Sequence, residues 1–401
     1  MPSPSPIVPV LSSMFIAYIA LGVVGPLVPL LLLGRGVPAP EIGLVASCYS
    51  AGFILGTLLL GRVIARIGHR AGMVAVSVLS GLTVAAMTVD SSTLVWAGLR
   101  AAMGLGHAGI CIVAESWLNS HAGNHNRGRI FSAYLLTTWG GSALGPLAIG
   151  AFPASGGLLL AAAAVMALTA WPLLRSRAAA PPPPPANRPR MGLLALMRLS
   201  PVGIACCLAA GLCNTAYYAM SPVALAGQAH SKGEIASFLV AINLAGMLVQ
   251  MPLGMLSDRF GRRQVAVGAL ALGGVMGALL FHLADAGIAV LIAAGIGLAC
   301  MTSGLYGLGA SQTNDRIAED GGGDTVAASG GLLLAWAIGS TLGPTVAGAA
   351  MAWMGPGGLF FYLACVLVCG AVFTAVRMVL RSDAPRDARA AFVDLPPAGH
   401  S

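Results

Sequence analysis

Long apolar runs closed by glycine, proline or clustered charge recur along all 401 residues of the chain. Twelve of them are discernible, near 7–33, 41–66, 70–89, 93–118, 128–152, 157–175, 200–226, 233–256, 264–284, 286–309, 325–352 and 356–380. As helices rising about 1.5 Å per residue, runs of about 20 residues cross about 30 Å of hydrocarbon. The period-two alternation of a membrane barrel is absent, and an unbroken Ala/Leu/Gly/Val run satisfies its backbone in lipid only as a helix. The pattern predicts an all-α integral membrane protein of twelve spans.

Composition agrees: 57% of residues are hydrophobic and only 8% charged, against about 25% charged in soluble domains. A net charge of +8 suggests nucleic acid at first, but the basic residues sort by topology. Arg62, Arg66, Arg70, Arg127, Arg129, Arg175, Arg177, Arg188, Arg190, Arg198, Arg259, Arg262, Arg263, Arg316, Arg377, Arg381, Arg386 and Arg389 occupy alternate connections or the tail. Outside the spans, only Arg35 and Lys232 fall on the other side. The positive-inside rule then places both termini in the cytoplasm of a multi-pass inner (plasma) membrane protein, with no nucleic-acid partner. The first run is too long for a signal-peptide core and its leader "MPSPSP" lacks positive charge, so it reads as a retained span. All eight cysteines lie inside predicted spans, which argues against a disulfide framework.

Between the sixth and seventh runs lies "RSRAAAPPPPPANRPRMG", basic and proline-rich, an extended connector. The expected organisation is a six-helix bundle over 1–175, a linker over 176–199, a second bundle over 200–380 and a tail over 381–401. The halves share sequence. "EIGLVASCYSAGFILGTLLLGRVIARIGHR" from Glu41 aligns without gaps on "EIASFLVAINLAGMLVQMPLGMLSDRFGRR" from Glu234. "GSALGPLAIGA" from Gly141 aligns on "GSTLGPTVAGA" from Gly339. Such repeats predict two pseudo-symmetric bundles around a central cavity, with the substrate site near the bilayer midplane.

These segments resemble the major facilitator superfamily over essentially the whole chain. "GRVIARIGHR" (Gly61–Arg70) and "GMLSDRFGRR" (Gly254–Arg263) are similar to its loop signature between spans 2 and 3 and its repeat between 8 and 9. "RAAMGLG" (Arg100–Gly106) resembles the fourth-span motif, and "GSALGP" and "GSTLGP" the fifth-span motif typical of exporters. "ESWLN" (Glu115–Asn119) and "NRGR" (Asn126–Arg129) are similar to the YcaD-like branch. The resemblance implies gating roles for Arg66, Arg70, Asp258, Arg259 and Arg262 in the loop signatures and for Gly145, Pro146, Gly343 and Pro344 in the kinked spans. Ala65 stands where the first signature usually carries the acid that helps lock the outward-facing state; only the second copy keeps it, as Asp258.

Candidate chemistry concentrates in the fourth run. At about 100° per residue, Arg100, Gly104, His107, Cys111 and Glu115 share a stripe of about 80°, with Met103 at its edge. A central arginine costs about 2.5–3.5 kcal/mol even on the mildest scale, so this face should look into the cavity or onto a partner helix. Arg100 either attracts an anionic substrate and tunes a neighbouring group, or bonds backbone carbonyls between helices 1 and 4. His107 either relays a proton or bonds a neighbouring helix. Glu115, at the inner boundary, pairs with Arg66, Arg70, Arg127 or Arg129, carries a proton or contacts substrate.

The opposite half offers neutral polar groups, Asn214, Tyr218, Asn243 and Trp336 among them, facing Tyr18 and Tyr134 of the first half, a set suited to an amphipathic organic molecule. The soft spacing Met103, His107, Cys111 and Met247, Met251 supports an alternative, Cu(I) uptake, and resembles the M-x-x-x-M of CcoA-like copper importers. No P-loop, H-E-x-x-H or G-x-S-x-G appears in the sequence, so neither enzyme chemistry nor a cofactor is expected. The expected function is proton-coupled export of a small organic compound by a monomeric secondary transporter. A non-transporting membrane sensor or assembly factor is the alternative of another class.

Overall fold

The computed structural model of the protein describes residues 7–89, 92–122, 127–176, 191–319 and 325–380. The expectations for the linker core (177–190), the tail (381–401) and Asn126 lie outside the described residues. In chain order the helices are α1 (Val8–Gly34), α2 (Ala39–Ile67), α3 (His69–Ala86), α4 (Thr93–His121), α5 (Arg127–Ala151) and α6 (Gly156–Ala167), which continues through a 3-10 turn (Leu168–Ala170) into α7 (Trp171–Arg175). After the short α8 (Leu193–Leu199) come α9 (Pro201–Gly227), α10 (Lys232–Phe260), α11 (Arg262–His282), α12 (Ile288–Ser303), α13 (Leu305–Glu319), α14 (Thr325–Met354) and α15 (Gly358–Leu380). Taking α6–α7 and α12–α13 as single spans gives the twelve. Eleven are long and apolar enough to cross a membrane by length and composition; the other is the 25-residue α5.

Two spans are interrupted, each for a local reason. Pro172 has no N–H for the Leu168 carbonyl, and the ladder tightens there into the 3-10 turn. At Gly304 the Leu253 side chain occupies the space a Cβ would need, and α12 gives way to α13. α13 then runs ten residues past the apolar stretch that ends near 309, because "SQTNDRIAE" continues as a polar helix.

The repeat seen in the sequence is also a repeat of conformation. Gly68 (φ 84°) and Gly261 (φ 103°) occupy equivalent places between α2 and α3 and between α10 and α11. Both sit in the left-handed region that disfavours side chains, which fixes the glycine in each loop signature.

Within the first bundle α2 packs on α4 and α1 on α5; in the second, α10 packs on α12 and α9 on α14. The bundles meet along α2–α14 and α5–α10, two interfaces exchanged by the pseudo-symmetry. Lipid tails are as apolar as leucine, so close backbone approach rather than hydrophobic burial must hold such helices together. A Cβ on Gly145 would strike the Gly22 backbone of α1, and one on Gly343 the Leu212 carbonyl of α9. Pro146 and Pro344 follow these glycines inside α5 and α14. Large apolar side chains such as Leu82, Leu248 and Met251 cover the outside, where lipid solvates them.

Opposite ends of the bundles differ. At the end carrying Arg35, Ser47 Oγ of α2 lies 2.8 Å from Thr345 Oγ1 of α14. Gly43 abuts the Pro344 carbonyl, Gly348 the Ala39 carbonyl, and Gly150 the Ala236 side chain. Trp139 of α5 meets Tyr218 of α9 at 6.5 Å between ring centroids. Toward the end carrying Gly68, by contrast, a cavity of about 200 Å³ lies within the second bundle among α10, α11, α12 and α13, lined by Gln250, Ser257, Asp258, Arg262, Ser303 and Ser311.

Candidate functional site

The α2–α4 contact builds the site. A Cβ on Gly104 would collide with the Tyr49 carbonyl, and one on Gly52 with the Ala101 carbonyl, so the two backbones touch. That approach lays the α2 rings of Tyr49 and Phe53 on the polar stripe of α4. His107 is buried among three rings: Tyr49 at 6.0 Å and nearly parallel, Phe53 at 5.2 Å, and Tyr18 of α1 edge-on at 5.3 Å.

These groups form a hydrogen-bonding chain. Tyr49 Oη lies 2.6 Å from His107 Nδ1, and His107 Nε2 lies 3.4 Å from Cys111 Sγ. Cys111 Sγ in turn lies 3.9 Å from Tyr18 Oη. Each imidazole nitrogen thus has one partner, and whichever tautomer is present, one nitrogen donates while the other accepts in a neutral ring. Glu115, one turn further along α4, is exposed and within electrostatic reach of Cys111, of Tyr134 in α5 and of Tyr306 in the opposite bundle.

Arg100 stands at the other end of the chain, 5% exposed. Its guanidinium carbon lies 4.7 Å over the Tyr49 ring, and Nη1 donates to Met103 Sδ at 3.5 Å. Nε has no hydrogen-bond partner, and no carboxylate pairs with this side chain, among the described residues. Among the described residues its partners are α2, through an aromatic face, and its own helix, where one sequence alternative had the backbone carbonyls of helix 1. A desolvated cation–π contact contributes about 2 kcal/mol, against a burial penalty of several kcal/mol for an unpaired ion. The positive charge remains under-compensated.

The second half contributes less than its sequence suggested. Asn214 Nδ2 donates to the Thr302 carbonyl at 3.3 Å, leaving its buried Oδ1 without a partner among the described residues. Asn243 bonds back onto the Leu239 carbonyl of its own helix at 2.8 Å, and Tyr218 Oη donates to the Ile242 carbonyl at 3.4 Å. Trp336 is half-buried against an apolar cluster that includes Leu332 and Ala335. For the soft-metal alternative, Met103 is fully buried with its sulfur taken by Arg100, whereas Met251 is 75% exposed on α10.

At the Gly68 end the two loop signatures are built differently. Arg262 pairs with Asp258 at 3.3 Å and more closely with Asp315 of α13. At the equivalent place in the first half, His69 Nε2 lies 2.9 Å from Ser116 Oγ of α4, and its ring packs edge-on against Trp117. An ion-pair clamp in one bundle is matched by a histidine–serine contact in the other, where Ala65 stands in place of the acid. Of the arginines expected beside Glu115, Arg66 and Arg129 are exposed and Arg70 Nη2 donates to the Ser176 carbonyl at 2.8 Å. The side chain of Arg127 lies outside the described residues. Arg259 is exposed and packs over Phe260. Asp258 is 67% exposed and Asp315 32%, so Asp315→Ala should destabilise by about 1 kcal/mol and Asp258→Ala by less. Equal melting temperatures for the two variants would show that Asp315 is not the principal partner.

The family model described as Major Facilitator Superfamily matches residues 10–318 and 202–398. The MFS-type transporters YcaD of Escherichia fergusonii and of Salmonella newport are each 28% identical to this chain over 94% of its length and 96% of theirs. Among solved structures, a mutant of the nucleoside transporter NupG superposes with a TM-score of 0.76 at 12% identity, covering 93% of this chain and 99% of that one. A bacterial homologue of the human lysosomal transporter Spinster, in an inward-facing and unoccupied conformation, gives 0.71 at 14% identity, covering 97% and 98%. The last two likenesses establish the fold, and the sequence matches carry the family. The chain belongs to the Major Facilitator Superfamily, as a YcaD-like multi-pass membrane transporter and not an enzyme.

Proposed function

We propose that the protein is a proton-coupled exporter of a small organic compound in the inner membrane, with both termini in the cytoplasm. It works by alternating access, and the arrangement described above is the state closed at the Arg35 end and open toward the cytoplasm. The observation that carries the reading is the buried Arg100 charge heading a chain of proton-carrying groups, Tyr49, His107, Cys111 and Tyr18, that leads toward the exposed Glu115. A fixed positive charge favours a substrate with anionic or electron-rich character. Arg100 and His107 both pack against Tyr49, so the charge of a bound substrate and a proton on His107 act on one electrostatic environment. Such coupling is what proton-driven transport requires. Met103, committed to Arg100, and Met251, on an exposed face, lend the copper alternative no support.

The test has two steps. A thermal-shift screen of organic acids, bases, drugs and metal ions on detergent-purified protein selects a solute that binds the folded state. The protein is then reconstituted in vesicles carrying an imposed pH gradient. Addition of the selected solute should drive proton movement opposite to its own. Solute uptake with no accompanying proton movement would refute the coupling, and a protein that moved neither would be a sensor.

A further inference from the structure

The cavity of about 200 Å³ in the second bundle shares no residue with the α2–α4 site. Gln250, Gly254 and Asp258 are spaced i, i+4, i+8 on α10 and therefore share one face. Ser303, Gly307 and Ser311 repeat that spacing across the α12–α13 junction, where Gly304 keeps a right-handed helical backbone. Both stripes line the same space, and each carries glycine at its middle. Glycines at the helix contacts, such as Gly104 and Gly145, lie against neighbouring backbone, whereas a Cβ on Gly254 or Gly307 would meet nothing within 4 Å. At these two positions the absent side chain leaves room instead of letting two helices touch.

The groups around that room are mostly unspent. Ser257 Oγ donates to the Gly254 carbonyl at 2.7 Å, but the Gln250 amide and the Ser311 hydroxyl have no hydrogen-bond partner among the described residues. Amides and hydroxyls each donate and accept, so they suit a ligand whose own groups do both. At the exposed rim Arg262 is already met by two carboxylates, Asp258 at 3.3 Å and Asp315 more closely, and an anion finds no spare positive charge there. Of the neighbouring cations, Arg259 is exposed over Phe260, Arg263 lines a different cavity at the start of α9, and Arg316 pairs with Glu319. Asp258, 67% exposed, keeps capacity to accept from a ligand hydroxyl. No aromatic ring lines the cavity among the described residues; Leu253 and Leu308 supply its apolar wall. The volume is that of about seven liquid waters, which accommodates a polyol of about six carbons.

We infer that the cavity among α10, α11, α12 and α13 is a binding site for a compact neutral polyol, reached from the Gly68 end. It lies inside one bundle and not between the two, so it stands apart from the transport reading, and its test needs no transported solute. Melting of the full-length protein in a sugar-free polyoxyethylene detergent is followed against myo-inositol, mannitol and glucose, with sodium phosphate and sodium glutamate as charged probes. Concentrated polyols stabilise any protein by exclusion from its surface, without saturation; occupancy of a site adds a rise that follows the binding isotherm. That saturating rise is expected at low concentration with at least one polyol and with neither anion. Gly254→Leu, whose side chain enters the open space, should abolish it without lowering the ligand-free melting temperature. Gln250→Leu should weaken affinity about tenfold, the loss of hydrogen bonds to one amide. Gly268→Leu, on α11 outside the lining and equally without neighbours within 4 Å, should leave affinity unchanged. No saturating response to any of the three polyols in the unsubstituted protein, a saturating response to the anions in their place, or undiminished affinity in Gln250→Leu would overturn the assignment.

Discussion

Arg100→Gln should reduce solute-driven proton movement about hundredfold while raising, or leaving unchanged, the melting temperature. The two halves of that expectation come from the same geometry. Arg100 is buried without a carboxylate, held by a methionine sulfur and a tyrosine face. Weak partners of this kind do not repay the loss of hydration, so removing the charge removes a cost to the fold. The charge is retained for what it does to the site, a division between stability and function expected where a group serves transport. A factor of about one hundred corresponds to about 2.7 kcal/mol, within reach of one charge-assisted contact. Arg100→Lys keeps the charge but loses the planar face over Tyr49, and an intermediate loss of about tenfold is expected. A glutamine variant that transports at full rate with unaltered pH dependence would remove Arg100 from the mechanism. One that unfolds instead would show that the charge is structurally compensated.

The spans were readable because twenty-residue apolar runs admit one solution in lipid, and the observed helix ends fall close to the predicted ones. α13 is the exception, since nothing in an apolar pattern marks a helix that continues into water. The polar stripe of α4 was readable from spacing alone. Its counterparts on α2 were not, although Gly52 and Gly56 have the small-residue spacing of a close helix contact: Tyr49 and Phe53 stand three residues before those glycines and so share their face. Asn243 shows the converse difficulty. A polar residue in a span looks available in sequence, yet its amide is spent on the Leu239 carbonyl of its own helix. The pairing of His69 with Ser116 was hidden because neither residue belongs to the charged pattern that it replaces.

A disulfide joining positions 47 and 345 should stop transport completely, and reductant should restore it. Ser47 Oγ and Thr345 Oγ1 are 2.8 Å apart across the α2–α14 interface, a separation from which two cysteine sulfurs close a bond with little backbone movement. The background carries Cys48→Ala, Cys365→Ser and Cys369→Ser, which removes the neighbouring thiol and the two exposed ones. Alternating access requires this interface to separate once in every cycle, because a packed layer of small residues offers a solute no path. Gly43 against Pro344 and Gly348 against Ala39 make the layer dense there. The bridge therefore holds the end carrying Arg35 shut while the cavity at the other end stays accessible. Solute should still raise the melting temperature of the cross-linked protein, since binding needs only the open side. The Ser47→Cys and Thr345→Cys single variants should transport normally under the same oxidant. Quantitative cross-linking with undiminished transport would mean that α2 and α14 do not part at this end, and the two-bundle mechanism would fail at its first requirement.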